Sequence, residues 1–266
     1  MNAVRTQGIH RILQTHSELF AGKDLLEIGS GTGAQLLVLR EMCKSATGIE
    51  IAGGLYGRDA LTEIAQYDGR RIPFPDASFD VIFSSNVLEH IAHEETIHAE
   101  MHRVLRPGGL GFHIVPSATW RIVASVAHYP WCMRAAFQKL IGRISGHGAG
   151  DNGAGGTKPI THRGSMAFLK FALLPPRHGE FGNWFTEHLF LFRAGAWRKR
   201  FEAHDWQIES MGPVGLFHTG CCLMGPRLSW RMRTWLGKTI GSSELFFVLR
   251  PAASPVGLSR AGAQPR

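Results

Sequence analysis

The sequence predicts a single α/β domain built on an open, mostly parallel sheet, and three observations lead to that prediction. The segment LLEIGSGTG, from Leu25 to Gly33, joins a short apolar run to a glycine turn. Further short apolar runs follow at intervals that suit alternating strands and crossover helices. The 266 residues, of which 44% are hydrophobic and 19% charged, are enough for one elaborated domain with a sizeable core.

The first predicted strand and its turn carry the clearest functional signal. Leu25 to Ile28 suits a strand that is buried on both faces of a parallel sheet. The turn glycines lack the Cβ atoms that would keep backbone away from a ligand; they are Gly29, Gly31 and Gly33. A helix is predicted from 34 to 43, so its free N–H groups would face the same point.

The glycines alone leave two cofactor classes open. Gly29, Gly31 and Ala34 also satisfy the GxGxxG/A fingerprint of nicotinamide dinucleotide folds. A second apolar run ends at Glu50, about twenty residues beyond the first glycine, and either class could use this carboxylate to bind ribose hydroxyls. The segments Tyr67 to Ile91 and Arg103 to Gly109, however, have no place in the dehydrogenase pattern.

Together these segments resemble the class I S-adenosylmethionine-dependent methyltransferases, in particular the quinone-biosynthesis-type group of methyltransferase domain 11. The resemblance covers about residues 22 to 116. It implies a Rossmann-like fold with a seven-stranded, mostly parallel sheet, an antiparallel last strand, and a helical and loop insertion after the fifth strand. It also implies S-adenosyl-L-methionine as the cofactor.

The resemblance assigns cofactor roles to particular residues. Glu27 is expected near the cationic amino acid part, Glu50 at the ribose hydroxyls, and Asp68 with Gly69 at adenine. The complete predicted cofactor set is Glu27, Gly29, Ser30, Gly31, Gly33, Glu50, Ile51, Asp68, Gly69, Ser85 and Asn86. Only about eighteen residues separate Glu50 from Asp68, and three of them are glycines, so the second crossover helix is expected to be stunted.

The sequence also predicts how the whole chain is organised around the cofactor-binding segment. Residues 1–21 are expected to form an N-terminal capping helix, 22–116 the cofactor-binding half, 117–199 a substrate or lid insertion, 200–251 the closing helix and strands, and 252–266 a disordered tail. Within the insertion, a segment of helical periodicity precedes a glycine-rich stretch that reads as a mobile loop.

Two polar clusters compete for a catalytic or metal role. Asn86, Glu89, His90 and His93 would share one face if NVLEHIAH starts a helix, and such a face could hold a divalent cation. This arrangement resembles the ExxEH motif of magnesium-dependent O-methyltransferases, with an asparagine in place of the first glutamate, and we favour a structural role over metal binding. The second cluster, from Pro175 to His188, contains His178 as a candidate general base. His90 and His178 are therefore the candidate catalytic residues.

A basic segment from Pro226 to Ile240 has a face formed by Leu228, Met232 and Trp235 and contains no acidic residue. It could contact a membrane surface peripherally, although we favour packing of this face in the core. No apolar run reaches the length of a membrane span, and no signal peptide is evident, so a cytoplasmic protein is expected. The four cysteines show neither a disulfide framework nor metal-ligand spacing.

These observations predict a methyltransferase that acts on a small-molecule acceptor or on a lipid-linked or glycan-linked one, with oxygen favoured as the acceptor atom. The net charge of +8 raises RNA ribose 2′-O-methylation as an alternative. FSSN stands where base methyltransferases carry [DN]PP[YF], which argues against a nucleic-acid partner. Alternatives of another class are a nicotinamide-dependent oxidoreductase and a noncatalytic cofactor-binding scaffold.

Overall fold

The structure is a computed structural model that describes residues 2–53, 60–144, 174–175, 177–180, 183, 186–218 and 228–252. The expected stunted helix falls partly on residues 54–59, outside the described residues, and 60–64 form no helix. The expected glycine-rich loop and nearly all of the expected tail also lie outside the described residues.

Seven strands form one sheet in the order β3-β2-β1-β4-β5-β7-β6. Neighbouring strands from β1 to β5 are parallel, and β7 runs antiparallel to both β5 and β6. The strands are β1 Asp24–Ile28, β2 Ser45–Ile51, β3 Ala65–Tyr67, β4 Phe79–Ser85, β5 Leu105–Pro116, β6 Trp206–Pro213 and β7 Glu244–Pro251. This architecture confirms the fold class that the sequence predicted.

Helices cover both faces of the sheet. They are α1 Asn2–Thr15, α2 Ala34–Met42, α3 Glu94–Val104, α4 Ala118–Ile144, α5 Ala194–Ala203 and α6 Trp230–Thr239. Short turns of other types stand at Ser17–Leu19 and Leu88–His90 (3₁₀) and at Glu187–Leu191 (π). None of the described helices is long and apolar enough to cross a bilayer.

The core consists of two apolar clusters, one on each side of the sheet. On one side α1 and α2 pack against the central strands, with Leu13 and Leu36 near Phe83 and Phe112. On the other side α3 and α5 supply Met101, Val104, Trp197 and Phe201. Because both faces are covered, the strands are nearly continuous apolar runs, as buried parallel sheets require.

The helix predicted from 226 to 240 begins at Trp230, where the Ser229 hydroxyl accepts a hydrogen bond from the backbone of Met232. Our interpretation of its apolar face as core is wrong. The Met232 and Trp235 side chains are 45% and 58% exposed, whereas Arg233 is buried. The pattern identified an amphipathic helix but could not show which face turns inward.

Two buried histidines, His98 and His113, make stability depend on pH. The indole N–H of Trp206 donates to Nδ1 of His98 (2.9 Å), and His113 Nδ1 lies 2.8 Å from the Ser84 hydroxyl. Burial lowers the pKa of His113 to about 3 and also lowers that of His98. Both side chains are therefore neutral in the folded protein.

In the unfolded chain these histidines take up protons near pH 6.5. Their contribution to the free energy of unfolding is therefore fully present above that pH, and it is lost as the pH falls toward their lowered pKa values in the folded protein. At pH 5 the loss is about 2 kcal/mol for each histidine. We expect His113→Gln to reduce the pH slope of the unfolding free energy by about one proton in urea denaturation between pH 7.5 and 5. The exposed His93→Gln is the control, and an unchanged slope in His113→Gln would contradict the assignment.

Candidate functional site

A cavity of about 540 Å³ opens at the carboxyl ends of β1, β2 and β4. Open α/β sheets bind ligands at this edge, and the volume suits a cofactor-sized molecule. Ten predicted site residues line it: Gly29, Ser30, Gly31, Glu50, Ile51, Ser85, Asn86, Glu89, His90 and His178. The others lie outside its lining; these are Glu27, Gly33, Asp68, Gly69 and His93.

The glycine turn forms one wall of the cavity. Gly29, Gly31 and Gly33 all have positive φ, at 73°, 55° and 79°. The N–H groups of Gly29 and Ser30 donate to the carbonyl of Ile49 at 2.9 and 3.1 Å, which ties the turn to β2. Left-handed backbone at these three alternate positions favours glycine, so the turn requires these residues for its shape as well as for access.

The Glu50 carboxylate lies directly opposite this turn. Its Oε2 accepts a hydrogen bond from the N–H of Gly31 at 2.6 Å, and its Oε1 accepts one from the N–H of Ile51 at 3.2 Å. The carboxylate is thereby fixed at the end of β2 with its oxygens at the cavity wall. A carboxylate in this position can accept two hydroxyl donors from a ligand.

Gly29 leaves no room for a side chain next to Val87. A Cβ there would lie 2.4 Å from a methyl group of Val87, and its φ is strained for any other residue. Gly22 has a similar φ of 72°, but a Cβ there would meet no atom within 4 Å. Gly22→Ala therefore measures the cost of the backbone strain alone, which is about 1 to 2 kcal/mol in the free energy of unfolding.

We expect Gly29→Ala to destabilise the fold by about 1 to 3 kcal/mol more than Gly22→Ala, because the overlap adds to the strain. Urea denaturation measures both variants. The double variant Gly29→Ala with Val87→Ala should recover part of the difference, and equal losses in Gly29→Ala and Gly22→Ala would show that the overlap is relieved without cost.

Asp68 makes local contacts in its own turn. Its Oδ1 accepts hydrogen bonds from the N–H groups of Arg70 and Arg71, both at 2.8 Å. These bonds lower the pKa of the carboxyl group. Gly69 has a φ of 79°, and a Cβ there would only touch Ile51. The predicted contact of Asp68 with adenine stays a prediction.

Glu27 is buried in β1, and its side chain is 2% exposed. The Ser30 hydroxyl donates to the Glu27 carbonyl at 3.4 Å, so strand and turn are connected at this residue. The predicted role of Glu27 at the amino group of the cofactor likewise stays a prediction.

Sequence reasoning missed two polar residues next to Asn86 at the end of β4, namely Glu244 and His218. Asn86, with a φ of 52°, donates through its amide nitrogen to Glu244 Oε1 at 2.7 Å. The same carboxylate oxygen lies 3.5 Å from His218 Nε2, and both partners line the cavity. The one available signal was Glu244 itself, a charged residue that precedes five apolar residues in β7.

The opposite side of the cavity holds Glu89, His90 and His178. The Glu89 side chain is 0% exposed, and neither carboxylate oxygen has a hydrogen-bond partner among the described residues. Its Oε1 lies 3.6 Å from His178 Nε2 and 3.8 Å from His90 Nε2. The two imidazole rings meet edge to face with centroids 4.7 Å apart. The Trp120 ring packs against the His178 ring, with their centroids 4.4 Å apart.

A second buried carboxylate fixes the backbone at His178. Glu187, which is 1% exposed, accepts hydrogen bonds from the N–H groups of His178 (2.5 Å) and Gly179 (3.2 Å). Arg121 of α4 lies 3.2 Å from the same oxygen, and burial lowers the pKa of this arginine. Glu187 therefore connects α4 to the backbone of His178, and removing either charged partner would leave the other buried without its counter-charge, which is costly.

The predicted helical face of Asn86, Glu89, His90 and His93 does not form. A 3₁₀ turn covers only Leu88–His90, and α3 begins after His93. Asn86 turns instead toward Glu244. The cluster that the structure brings together is Glu89, His90 and His178, whose ligand atoms all lie within 4.8 Å of one another.

Comparisons with known proteins agree with this geometry. The methyltransferase domain family matches residues 26–112. An uncharacterized methyltransferase of Mycobacterium avium (strain 104) is 29% identical over 188 residues, which are 64% of this chain and 72% of that protein. The ubiquinone/menaquinone biosynthesis C-methyltransferase UbiE of Cupriavidus metallidurans is 30% identical over 139 residues, which are 46% of this chain and 56% of that protein.

The fold also matches a solved structure. A putative S-adenosylmethionine dependent methyltransferase from Listeria monocytogenes covers 94% of this chain and all of its own length, with a TM-score of 0.54 and 14% sequence identity. At that identity the likeness concerns the fold alone.

Proposed function

This chain carries a methyltransferase domain of the class I S-adenosylmethionine-dependent type, and we propose that the cavity is its active site. There the methyl group of S-adenosylmethionine would be transferred to a hydroxyl oxygen of a small, largely apolar acceptor. The observation that carries the proposal is that one cavity is lined both by residues suited to the cofactor and by residues suited to a hydroxyl acceptor. On the first wall Glu50 and the glycine turn suit the cofactor, and on the second wall the buried Glu89 next to His178 suits removal of a proton from the acceptor.

The residues of the first wall fit the cofactor. Gly31 exposes backbone, Glu50 offers two carboxylate oxygens to ribose hydroxyls, and Ile51 supplies an apolar surface beside them. Charged hydrogen bonds of this kind contribute about 1.5 to 3 kcal/mol each. The cofactor supplies an electrophilic methyl group on a sulfonium centre when it is bound.

The residues of the second wall fit a hydroxyl nucleophile. Oxygen acceptors must lose a proton, and His178 is the candidate to take it. Glu89 lies 3.6 Å from Nε2 of this histidine, so it would stabilise the imidazolium that forms and orient the ring. Trp120 packs against His178, and Val87 and Ile91 also line the cavity, so its apolar surface favours an apolar acceptor.

A divalent cation is a second candidate for the same cluster. Glu89, His90 and His178 offer one carboxylate oxygen and two imidazole nitrogens within 4.8 Å of one another. A cation there would bind the acceptor oxygen directly, and His178 would then be a ligand instead of a base. The two possibilities differ in how they respond to a chelator.

The test combines binding with turnover. Calorimetry with S-adenosylmethionine, S-adenosylhomocysteine and NADH separates the cofactor classes, and binding of NADH alone would contradict the proposal. Transfer of a labelled methyl group is then screened over phenols, catechols, aliphatic alcohols, amines and carbon acids, with magnesium or with a chelator. Turnover of hydroxyl acceptors in the presence of chelator supports His178 as the base. Turnover limited to amines or carbon acids overturns the oxygen acceptor.

A further inference from the structure

A row of large apolar side chains is exposed along α4. These side chains belong to Ile122 (51%), Val126 (63%), Tyr129 (44%), Met133 (73%) and Phe137 (63%), and Arg134 is exposed beside them. Their spacing of three and four places them on one face, in a stripe about 22 Å long. Soluble proteins rarely expose contiguous apolar patches of this kind unless they bind something.

A neighbouring face of α4, about 100° around the helix from the stripe, is buried and carries polar side chains. Arg121, Ser125 and His128 follow one another at helical spacing and are 3%, 8% and 3% exposed. Arg121 lies next to the buried Glu187, and the Ser125 hydroxyl donates to the Arg121 carbonyl at 2.7 Å. The helix thus departs from an ordinary surface helix, because polar side chains lie on its buried face while large apolar side chains are exposed.

Helix α6 likewise has exposed apolar side chains and a buried arginine. Met232 and Trp235 are exposed, whereas Arg233 is buried and donates to the carbonyl of Phe217 at 3.3 Å. The two helices adjoin at one point, because a Cβ on Gly241, just after α6, would lie 2.5 Å from the Thr119 hydroxyl at the start of α4. Ile240, which is 55% exposed, stands at this junction.

The charges of the two helices are all of one sign. Neither α4 nor α6 contains an aspartate or a glutamate, and together they contain seven arginines and lysines, of which Arg121 and Arg233 are buried. The whole chain carries a net charge of +8. Pairing α4 with a second copy of itself would bring like charges together, whereas an anionic lipid headgroup layer would attract them.

We propose that the exposed stripe of α4, together with the exposed face of α6, docks on the surface of an anionic lipid bilayer. Amphipathic basic helices with exposed aromatic residues lie in the interface plane and bury their apolar side at the acyl boundary. Because Trp120 lines the cavity two residues before the stripe begins, docking places the cavity near the bilayer. That an acceptor arrives from the bilayer rests on the proposed function, whereas docking itself does not.

The experiment is co-sedimentation of the full chain with vesicles, without cofactor, so its outcome is independent of the proposed methyl transfer. One set of vesicles contains phosphatidylcholine alone and the other equal parts of phosphatidylcholine and phosphatidylglycerol. The test variant carries Met133→Gln and Phe137→Ser, which remove two exposed side chains of the stripe. The matched control is Leu37→Ser, which removes an exposed leucine (42%) from α2. Thermal melting checks that all three proteins are folded.

We expect the unmodified chain and Leu37→Ser to bind the anionic vesicles, and the double variant to bind them at least tenfold more weakly. Binding should also weaken as salt is added. Absence of binding by the unmodified chain, or equal binding by the double variant, would overturn the proposal. So would light scattering that shows a dimer of the unmodified chain and a monomer of the double variant, because a second copy would then cover the stripe.

Discussion

Glu50→Ala is expected to weaken binding of S-adenosylmethionine by tenfold to a thousandfold. The carboxylate is already oriented by the N–H groups of Gly31 and Ile51, so it needs little rearrangement to accept two ribose hydroxyls. Two charged hydrogen bonds of about 1.5 to 3 kcal/mol each are lost with it, offset in part by water that enters the space. A factor of ten in affinity corresponds to about 1.4 kcal/mol, which sets the lower bound of the effect.

Calorimetry with S-adenosylhomocysteine measures this loss without any acceptor. Glu50→Gln keeps one acceptor oxygen for the Gly31 N–H and removes the charge, so it separates the loss of the ribose contact from distortion of the turn. Glu209→Gln, on the edge strand β6, is the matched control because its carboxylate pairs with Arg250 and lies outside the cavity lining. Unchanged affinity in both Glu50 variants would refute the ribose assignment.

The sequence predicted well the features that depend on neighbouring residues. A buried strand followed by a glycine turn and a helix is encoded within about twenty residues, and the resulting β1, turn and α2 lie where the pattern placed them. The position of Glu50 also follows locally, since it stands near the end of β2 and parallel strands end at one edge of the sheet.

Contacts between distant segments could not be predicted in this way. Asn86 and Glu244 are 158 residues apart, and only the antiparallel insertion of β7 beside β5 brings them together. His178 was a candidate from the polar residues around it, but its partner Glu89 came from the other cluster. Periodicity failed for a different reason at residues 86–93 and in α6. It assumes that a helix forms, and it does not show which face of the helix has a partner.

The last expected result concerns the acceptor wall. In assays with the best hydroxyl acceptor found in the screen, His178→Gln should lower kcat by about 10² to 10⁴, the usual contribution of a general base. Affinity for S-adenosylhomocysteine should stay within about twofold, because His178 and Glu50 belong to opposite walls of the cavity. Glu89→Gln should lower kcat in the same direction, since the neutral amide no longer stabilises a protonated His178 at 3.6 Å.

The pH dependence of the defect separates a base from a structural residue. A phenolic acceptor ionises by itself as the pH approaches 10, so the deficit of His178→Gln should shrink toward that pH if the residue removes the proton. A residue that only shapes the cavity would leave the same deficit at every pH. The exposed His93→Gln should match the unmodified enzyme throughout, and a pH-independent loss in His178→Gln would assign this histidine to positioning of the acceptor instead of to proton transfer.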